Sequence, residues 1–136
     1  MVPDYVLKSL AMTRTQFIES HGATCRNWNW SWSFVCEAQR FVVFGAWDKH
    51  TEGTRAMILS EEWERNGKGH RNAGYGQARE HIRLIEEDGF ELRTFPMFHS
   101  DVNQDRDGEG PAKIREFIPE LTVRRLIRDG NAWFAI

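Results

Sequence analysis

The sequence NWNWSWSFVCEAQRFVVFGAWD, residues 27–48, carries the strongest structural signal in the chain. Four aromatic residues recur at every second position: Trp28, Trp30, Trp32 and Phe34. In a strand, that period places all four rings on one face. Residues 41–47 are apolar almost throughout, which is typical of a strand buried on both faces. Residues 37–40 suit a tight turn, so the stretch predicts a β-hairpin.

A hairpin that closes symmetrically about residues 37–40 places Trp32 opposite Gly45 and Trp30 opposite Trp47. A glycine that faces a tryptophan leaves space for the indole itself or for a flat ligand. The indoles therefore form either a thick core or a stacking site for a flat molecule.

Length and composition favour one folded domain. The 136 residues suffice for one domain with a core and are few for two. We expect residues 1–12 to be a lead-in and residues 13–136 to form a single recognition domain. The charge is balanced, with 18 basic against 20 acidic residues, and 40% of the residues are apolar, so the chain is neither a polycation nor a disordered tail. No apolar run reaches about 18 residues and no secretory signal is recognisable, so we expect a cytoplasmic protein with no membrane partner.

The sequence predicts no metal, no cofactor and no catalytic residue. Cys25 and Cys36 are expected to be reduced thiols, since two cysteines make no disulfide framework and no CxxC pair is present. Residues 101–105 resemble the start of a calcium loop, but Arg106 and Ala112 stand where glycine and a bidentate glutamate are needed. No nucleophile and base occur at a recognisable spacing, so an independent hydrolase is the least favoured class.

The rest of the chain predicts one long helix, two short helices and several strands. The long helix covers residues 75–88, with an apolar stripe at helical spacing and Gly89 as its C-terminal stop. The short helices follow Thr13 and Ser60, whose hydroxyl groups can cap a helix. The further strands are expected at residues 55–59, 90–98, 113–118, 123–128 and 132–136.

These elements predict an α+β fold. About seven short strands with one main helix and two short helices fit a curled or barrel-like, mostly antiparallel sheet. Pro96 lacks a backbone N–H, so we expect strand 90–98 to lie at a sheet edge or to end there.

Charge is distributed unevenly along the chain. Residues 65–83 contain five Arg or Lys and one Glu, whereas residues 86–109 contain eight acids and two Arg. The glycine-rich loop 66–76 leads into the long helix, and a helix N-terminus with free N–H groups is a physical anion site. The candidate phosphate-binding residues are Lys68, His70, Arg71, Arg79 and Arg83. The alternative is a solvated loop that happens to be basic.

Aromatic side chains stack on nucleobases, and proteins that inspect one base swing it out of the duplex into a pocket. The candidate walls of such a base pocket are Trp28, Trp30, Trp32, Trp47 and Tyr75. The candidate polar groups are Asn27, Asp48, Arg55 and Gln77. The alternative is that most of these rings belong to the core, because large aromatic side chains mostly serve packing.

Several long runs in the chain resemble a known family. They are TRTQFIESHGATCRNWNWSWSFV, FVVFGAWDKHTEG, ILSEEWE, GYGQAREHIRLIEEDGFELRTFPM and GPAKI. Across residues 13–136 the sequence resembles the domain that precedes the nuclease domain in bacterial HNH endonucleases of restriction type. The resemblance implies a DNA-recognition module of the McrA-like, modification-dependent kind, often SRA-like or PUA-like in fold. Nuclease activity would then come from an HNH domain in cis or in trans, since no HNH motif is present.

The leading hypothesis is therefore a reader domain that binds DNA, which we expect to be modified and double-stranded. It holds a modified or flipped base in the aromatic pocket and phosphates on loop 66–76, the basic loop. Two alternatives stay open. One is a regulatory domain that binds a small molecule or nucleotide in the same pocket. The other is a protein-interaction module that uses exposed indoles as anchors.

Overall fold

The computed structural model describes residues 12–100 and 113–136, and of residues 99, 100 and 113–116 only the backbone. The expected lead-in, apart from Met12, and the calcium-like stretch at residues 101–112 lie outside the described residues. Within the described part, no helix is long and apolar enough to cross a membrane.

The described residues form an α+β fold with two α-helices and two mostly antiparallel sheets. The helices are α1, Arg14–Ser20, and α2, Ala73–Asp88, and 3-10 turns cover Asp48–His50 and Glu61–Glu64. The strands are β1 Ser33–Cys36, β2 Phe41–Trp47, β3 Thr51–Glu52, β4 Arg55–Ser60, β5 Glu91–Ser100, β6 Lys113–Phe117, β7 Thr122–Arg124, β8 Leu126–Asp129 and β9 Ala132–Ala135.

The first sheet has the order β1-β2-β5-β6, with β7 also paired to β5, and the second has the order β3-β4-β9-β8. The α+β prediction is confirmed, but these strands make two open sheets in place of one curled or barrel-like sheet.

Strand β2 is the centre of the molecule. Its first six residues are buried, which confirms the prediction of a strand covered on both faces. Val42 and Phe44 pack into a core cluster with α2 and the second sheet. Phe41 and Val43 pack on the opposite side with residues of α1. Because side chains alternate along a strand, β2 contributes to both hydrophobic cores.

The hairpin has the predicted turn and register but a shorter first strand. Ser33 pairs with Phe44 and Cys36 with Phe41, so the chain turns at residues 37–40. The strand begins only at Ser33, and the chain before it is irregular.

A turn centred on Asn27 prevents the tryptophan run from being a strand. The Asn27 carbonyl accepts a hydrogen bond from Ser31 N at 2.9 Å, and its Oδ1 accepts one from Asn29 N at 2.8 Å. The prediction that all four rings share one face is therefore wrong. Trp32 packs against the core cluster under α2, whereas Phe34 belongs to the cluster on the other side of β2.

The start of α1 and the end of α2 agree with the sequence, whereas α2 begins at Ala73, two residues before the predicted start. Thr13 and Gln16 form a reciprocal capping box at the start of α1. Gly89 ends α2 with φ of 73°, a left-handed conformation that glycine adopts without a steric penalty. Ser60 caps the turn at Glu61–Glu64 through a bond from Glu62 N, but that turn is a 3-10 helix and not an α-helix.

Strand β5 lies inside its sheet, so the prediction that Pro96 marks an edge or an end is wrong. One side of β5 pairs in parallel with β2, and the other side pairs with β7 at residues 92–94 and with β6 from Met97 onward. The Pro96 carbonyl accepts a bond from Ile118 N at 3.1 Å. Since N and C=O of one strand residue point the same way, the missing N–H of Pro96 faces the point where β7 gives way to β6.

The expected last hairpin is split between the sheets. Residues 122–124 pair with β5 in the first sheet, whereas Leu126–Asp129 pairs with β9 in the second. Arg125 lies between them and exchanges two backbone hydrogen bonds with Ile136, of 3.0 and 2.9 Å. The chain thus passes directly from one sheet to the other at Arg125.

Candidate functional site

A cleft of about 710 Å³ opens beside the last residues of β2 and is lined by residues of both sheets. Most of its buried lining residues are apolar, and its more exposed lining residues include indoles and charged side chains. The buried apolar lining residues are Phe34, Phe44, Ile58, Phe95 and Met97. A volume of this size lies within the range of small-ligand pockets, roughly 300–1,000 Å³.

Three indoles wall the cleft: Trp32, Trp47 and Trp63. All three are partly accessible to solvent. The rings of Trp32 and Trp63 meet edge to face, with centroids 6.4 Å apart and planes at 86°. The ring of His50 lies 4.9 Å from that of Trp63, at 39°. The cleft therefore presents several aromatic surfaces in different orientations.

The Trp32 indole lies against the first turn of α2 because residue 74 is a glycine. A Cβ atom at Gly74 would come within 2.6 Å of the Trp30 carbonyl oxygen and 2.8 Å of two Trp32 ring atoms. Both distances are shorter than real Cβ contacts, so any larger residue would displace the indole or the helix.

Gly45 faces the cleft, but its open side is not vacant. The Met97 side chain fills the space that a side chain at Gly45 would take. Methionine is flexible and polarisable, and so it forms an adaptable wall for a flat ligand.

Positive charge predominates among the described residues that line the cleft. They include four basic side chains and one acidic side chain: Arg14, Lys49, Arg65, Lys68 and Glu62. The Lys49 ammonium lies 5.7 Å from the Trp47 ring centroid, which places cation and aromatic wall side by side. Such an arrangement favours a flat ligand that carries negative charge.

Arg14 is the most enclosed of these cations. Burial lowers the pKa of Arg14 below its ordinary value, and the electrostatic effect of Cys25 partly opposes this shift. Its guanidinium lies 5.8 Å from the Phe34 ring centroid. The ion pairs found among the described residues do not include Arg14. An anion in the cleft would offset the cost of burying this charge.

The basic loop is held in a defined conformation by Asn66. Its Oδ1 accepts hydrogen bonds from Lys68 N at 2.9 Å and His70 N at 3.0 Å, and its N donates to the His70 carbonyl at 2.8 Å. Asn72 Nδ2 donates to the Trp63 carbonyl at 2.7 Å, which links the residue before α2 to the backbone of Trp63. The loop thereby places Lys68 at the cleft entrance.

The structure brings together part of each predicted set of site residues. Trp32 and Trp47 from the predicted base pocket, and Lys68 from the predicted phosphate site, line the cleft. Asp48 is adjacent and exposed, and its Oδ1 accepts a bond from Lys49 N at 2.8 Å. The other predicted residues do not line this cleft: Asn27, Trp28, Trp30, Arg55, His70, Arg71, Tyr75, Gln77, Arg79 and Arg83.

Several of these residues have other partners. The Trp28 ring stacks on Phe34 at 5.4 Å and 19°. Tyr75 is buried, and its hydroxyl accepts a bond from Arg79 Nη1 at 3.1 Å. Gln77 is buried in α2, and no described residue hydrogen-bonds its Oε1. These positions serve the helix and the core.

The predicted arginines also differ in their environments. Arg83 pairs with Glu87 at 3.3 Å on the exposed side of α2. His70 and Arg71 are exposed in the basic loop. Arg55 pairs with Asp129 at 2.7 Å and lies outside the cleft.

Sequence reasoning missed several lining residues. They are Arg14, Lys49, His50, Trp63, Arg65, Asn72 and Met97. Arg65 and Trp63 adjoin the basic loop, so their proximity to Lys68 was a signal in the sequence. Arg14 and Met97 come from the distant elements α1 and β5, and no local pattern brings them to the loop.

A buried Ser33–His81 pair lies outside the lining of the cleft. Ser33 Oγ lies 2.6 Å from His81 Nδ1, but both residues are buried and neither lines the cleft. Burial lowers the pKa of His81 from 6.5 to about 4; the Glu80 carboxylate raises the pKa by a smaller amount, and the Arg26 guanidinium lowers it further. The imidazole is therefore neutral near pH 7 and acts as a packed hydrogen-bonding group.

No cluster of three metal-ligating side chains occurs among residues 12–100 and 113–136 as far as they are described. Cys25 and Cys36 are free thiols, with Cys36 buried in β1.

Comparison of the chain with protein-family models, with curated proteins and with solved structures found no match. The resemblance to domains of HNH endonucleases consequently remains an expectation from the sequence.

Proposed function

We propose that the protein is a DNA-binding reader domain that takes one base, modified or swung out of the duplex, into the cleft between its sheets. The observation that carries the proposal is that three indoles, four basic side chains and one acidic side chain meet among the described residues that line one cleft. Stacking on an aromatic ring contributes about 1–3 kcal/mol of binding free energy per base, and phosphates pair with Lys and Arg.

We assign a role to each lining residue from its position in the cleft. Trp47 and Trp63 stack on the base, with the Met97 thioether as the adaptable inner wall. Lys68 and Arg65 contact phosphates at the entrance and fix the register of the DNA without reading its sequence. Arg14, inside the cleft, contacts an electronegative group of the nucleotide.

The proposal also includes the setting that the sequence resemblance implies. That setting is a modification-dependent restriction system, a PUA- or SRA-like fold relationship and cleavage by an HNH nuclease domain in cis or in trans. Its support is the resemblance over residues 13–136 together with the α+β fold.

The distribution of indoles weighs against the protein-interaction alternative. None of the six tryptophans is fully exposed, and Trp133 is completely buried. Among the described residues, the exposed large hydrophobic side chain is Val123. Anchors for a protein partner need accessible aromatic surface outside the cleft.

A salt-resolved binding assay tests the proposal. The probes are otherwise identical duplexes that are unmodified, methylated, hydroxymethylated or phosphorothioated. We expect at least one modified duplex to bind more tightly than the unmodified one, and log K to fall linearly with log salt.

Lys68→Gln and Arg83→Gln form a matched pair for this assay, because both positions are exposed and only Lys68 lines the cleft. Lys68→Gln should reduce the salt slope by about one unit, while Arg83→Gln leaves it unchanged. Absence of DNA binding at low salt would overturn the proposal. Quenching of tryptophan fluorescence by free nucleosides without any salt dependence would favour the small-molecule alternative instead.

A further inference from the structure

A second cavity, of about 340 Å³, adjoins the cleft on the other side of the 3-10 turn Asp48–His50. Lys49 and His50 line both cavities. The second cavity lies on the second sheet, where strands β3, β4 and β9 supply its other lining residues. The two cavities are therefore neighbouring parts of one surface.

The second cavity has its own stacking surface. The Arg55 guanidinium lies 3.8 Å from the Phe134 ring centroid, and Met57 lines the same cavity. A guanidinium stacked on a ring is a flat cationic surface on which a base can stack in turn. Glu52, on the same wall, can accept a hydrogen bond from an exocyclic amino group of a base.

The position of Lys49 suits a phosphate group that links a nucleoside in one cavity to a nucleoside in the other. A phosphodiester that links two adjacent nucleosides carries its charge midway between the bases, and Lys49 is an exposed ammonium at the boundary between the cavities. The ion pair between Arg55 and Asp129 does not prevent ligand binding, because the two side chains are 40% and 68% exposed and ion pairs in contact with solvent contribute little.

We propose that the second cavity binds the nucleotide next to the one held in the cleft, with Lys49 on the phosphate between them. This inference rests on the proposed function and deepens it. The minimal ligand is then a dinucleotide step and not a free nucleotide.

The test compares nucleotides of different length. Tryptophan fluorescence is titrated with the 5′-monophosphates of deoxyadenosine, deoxycytidine, deoxyguanosine, thymidine and 5-methyldeoxycytidine, and with the corresponding 5′-phosphorylated homodinucleotides. We expect the best dinucleotide to bind about tenfold more tightly than its mononucleotide, since one more base stacks.

Arg55→Gln and Arg128→Gln are the matched variants. Arg128 also pairs with a carboxylate, Glu61 at 2.7 Å, and also lies over an aromatic ring, Trp133 at 4.6 Å, but it lines neither cavity. Arg55→Gln should abolish the advantage of the dinucleotide and leave mononucleotide binding unchanged, while Arg128→Gln preserves both. Phe134→Leu should have the same effect as Arg55→Gln.

The outcomes separate the two proposals. Mononucleotides that bind as tightly as dinucleotides, or an advantage that survives in both Arg55→Gln and Phe134→Leu, would overturn this inference and leave the proposed function standing. If no nucleotide, dinucleotide or duplex binds, the proposed function fails and the inference with it.

Discussion

At Gly74 the absence of one methyl group determines where the Trp32 indole can lie. The helix backbone approaches the ring so closely that a Cβ would come within 2.8 Å of it. Gly76, two residues later in α2, has no such neighbour, since its closest contact would be Arg71 Nη2 at 3.9 Å. Close packing therefore requires a glycine at position 74, whereas position 76 has space for a side chain.

We expect Gly74→Ala to destabilise the protein by about 1–3 kcal/mol, because the added methyl group forces the indole or the helix to move. Gly76→Ala should stabilise it by roughly 0.5–1 kcal/mol, since alanine restricts the unfolded chain and favours helix. Urea unfolding of the two variants checks both signs. A stabilised Gly74→Ala would show that the close packing of Trp32 is not important.

His81 makes the stability depend on pH. Its pKa falls from 6.5 to about 4 on folding, mainly through burial, so the unfolded chain binds a proton at pH values where the folded chain does not. The contribution is complete above pH 6.5, is lost progressively as the pH falls toward 4, and does not change further below that. Its full size is about 3 kcal/mol at ~1.4 kcal/mol per pKa unit.

Denaturant unfolding between pH 7 and pH 4 measures this dependence. His81→Gln should remove much of the loss of stability over that interval, whereas His70→Gln, at an exposed loop position, should leave it unchanged. An unaltered pH dependence in His81→Gln would contradict the assignment of this effect to the buried imidazole.

At the scale of elements, the sequence was most informative where local chemistry alone decides the structure. The apolar run of β2, the Thr13–Gln16 capping box and the Gly89 helix stop are local signals, and all three are confirmed. The alternating tryptophans gave a wrong prediction of a strand, because the Asn27 side chain accepts a backbone hydrogen bond and forms a turn that competes with the strand. Periodicity does not reveal such a competing hydrogen bond.

Strand β5 shows a second limit of local reasoning. The rule that proline belongs at an edge holds for a continuous ladder, but here two strands share one side of β5 and Pro96 lies where they meet. Only the tertiary pairing of residues 113–124 makes that position acceptable, and nothing near Pro96 in the sequence encodes it.

The loop that precedes α2 allows a test at this scale. Asn66→Ala removes the acceptor for Lys68 N and His70 N, so we expect faster hydrogen exchange of these two amides and weaker binding of DNA. The stability of the whole domain should change little, since the loop is exposed.

Asn66→Asp is the matched control for this loop, because it retains a side-chain oxygen at the same position. It should preserve the slow exchange of both amides. Equal exchange rates in the parent and in Asn66→Ala would mean that the Asn66 side chain does not order the loop.

At the scale of the whole molecule, the cleft is assembled from residues that are far apart in sequence. Arg14 comes from α1, Met97 from β5 and Lys68 from the basic loop. The sequence could nominate aromatic and basic residues by type, but their grouping depends on the parallel pairing of β2 with β5 and on the packing of the second sheet. This is why Trp32, Trp47 and Lys68 were anticipated and Arg14 was not.

The most direct test of the account compares the DNA affinity of Trp47→Ala and Trp28→Ala at one fixed salt concentration, by fluorescence anisotropy with the tightest-binding duplex. Both indoles are partly buried, but only Trp47 lines the cleft, because Trp28 stacks on Phe34 in the core. We predict that Trp47→Ala weakens binding by roughly tenfold or more, while Trp28→Ala stays within about twofold of the parent. Equal affinities of the two variants would contradict the account.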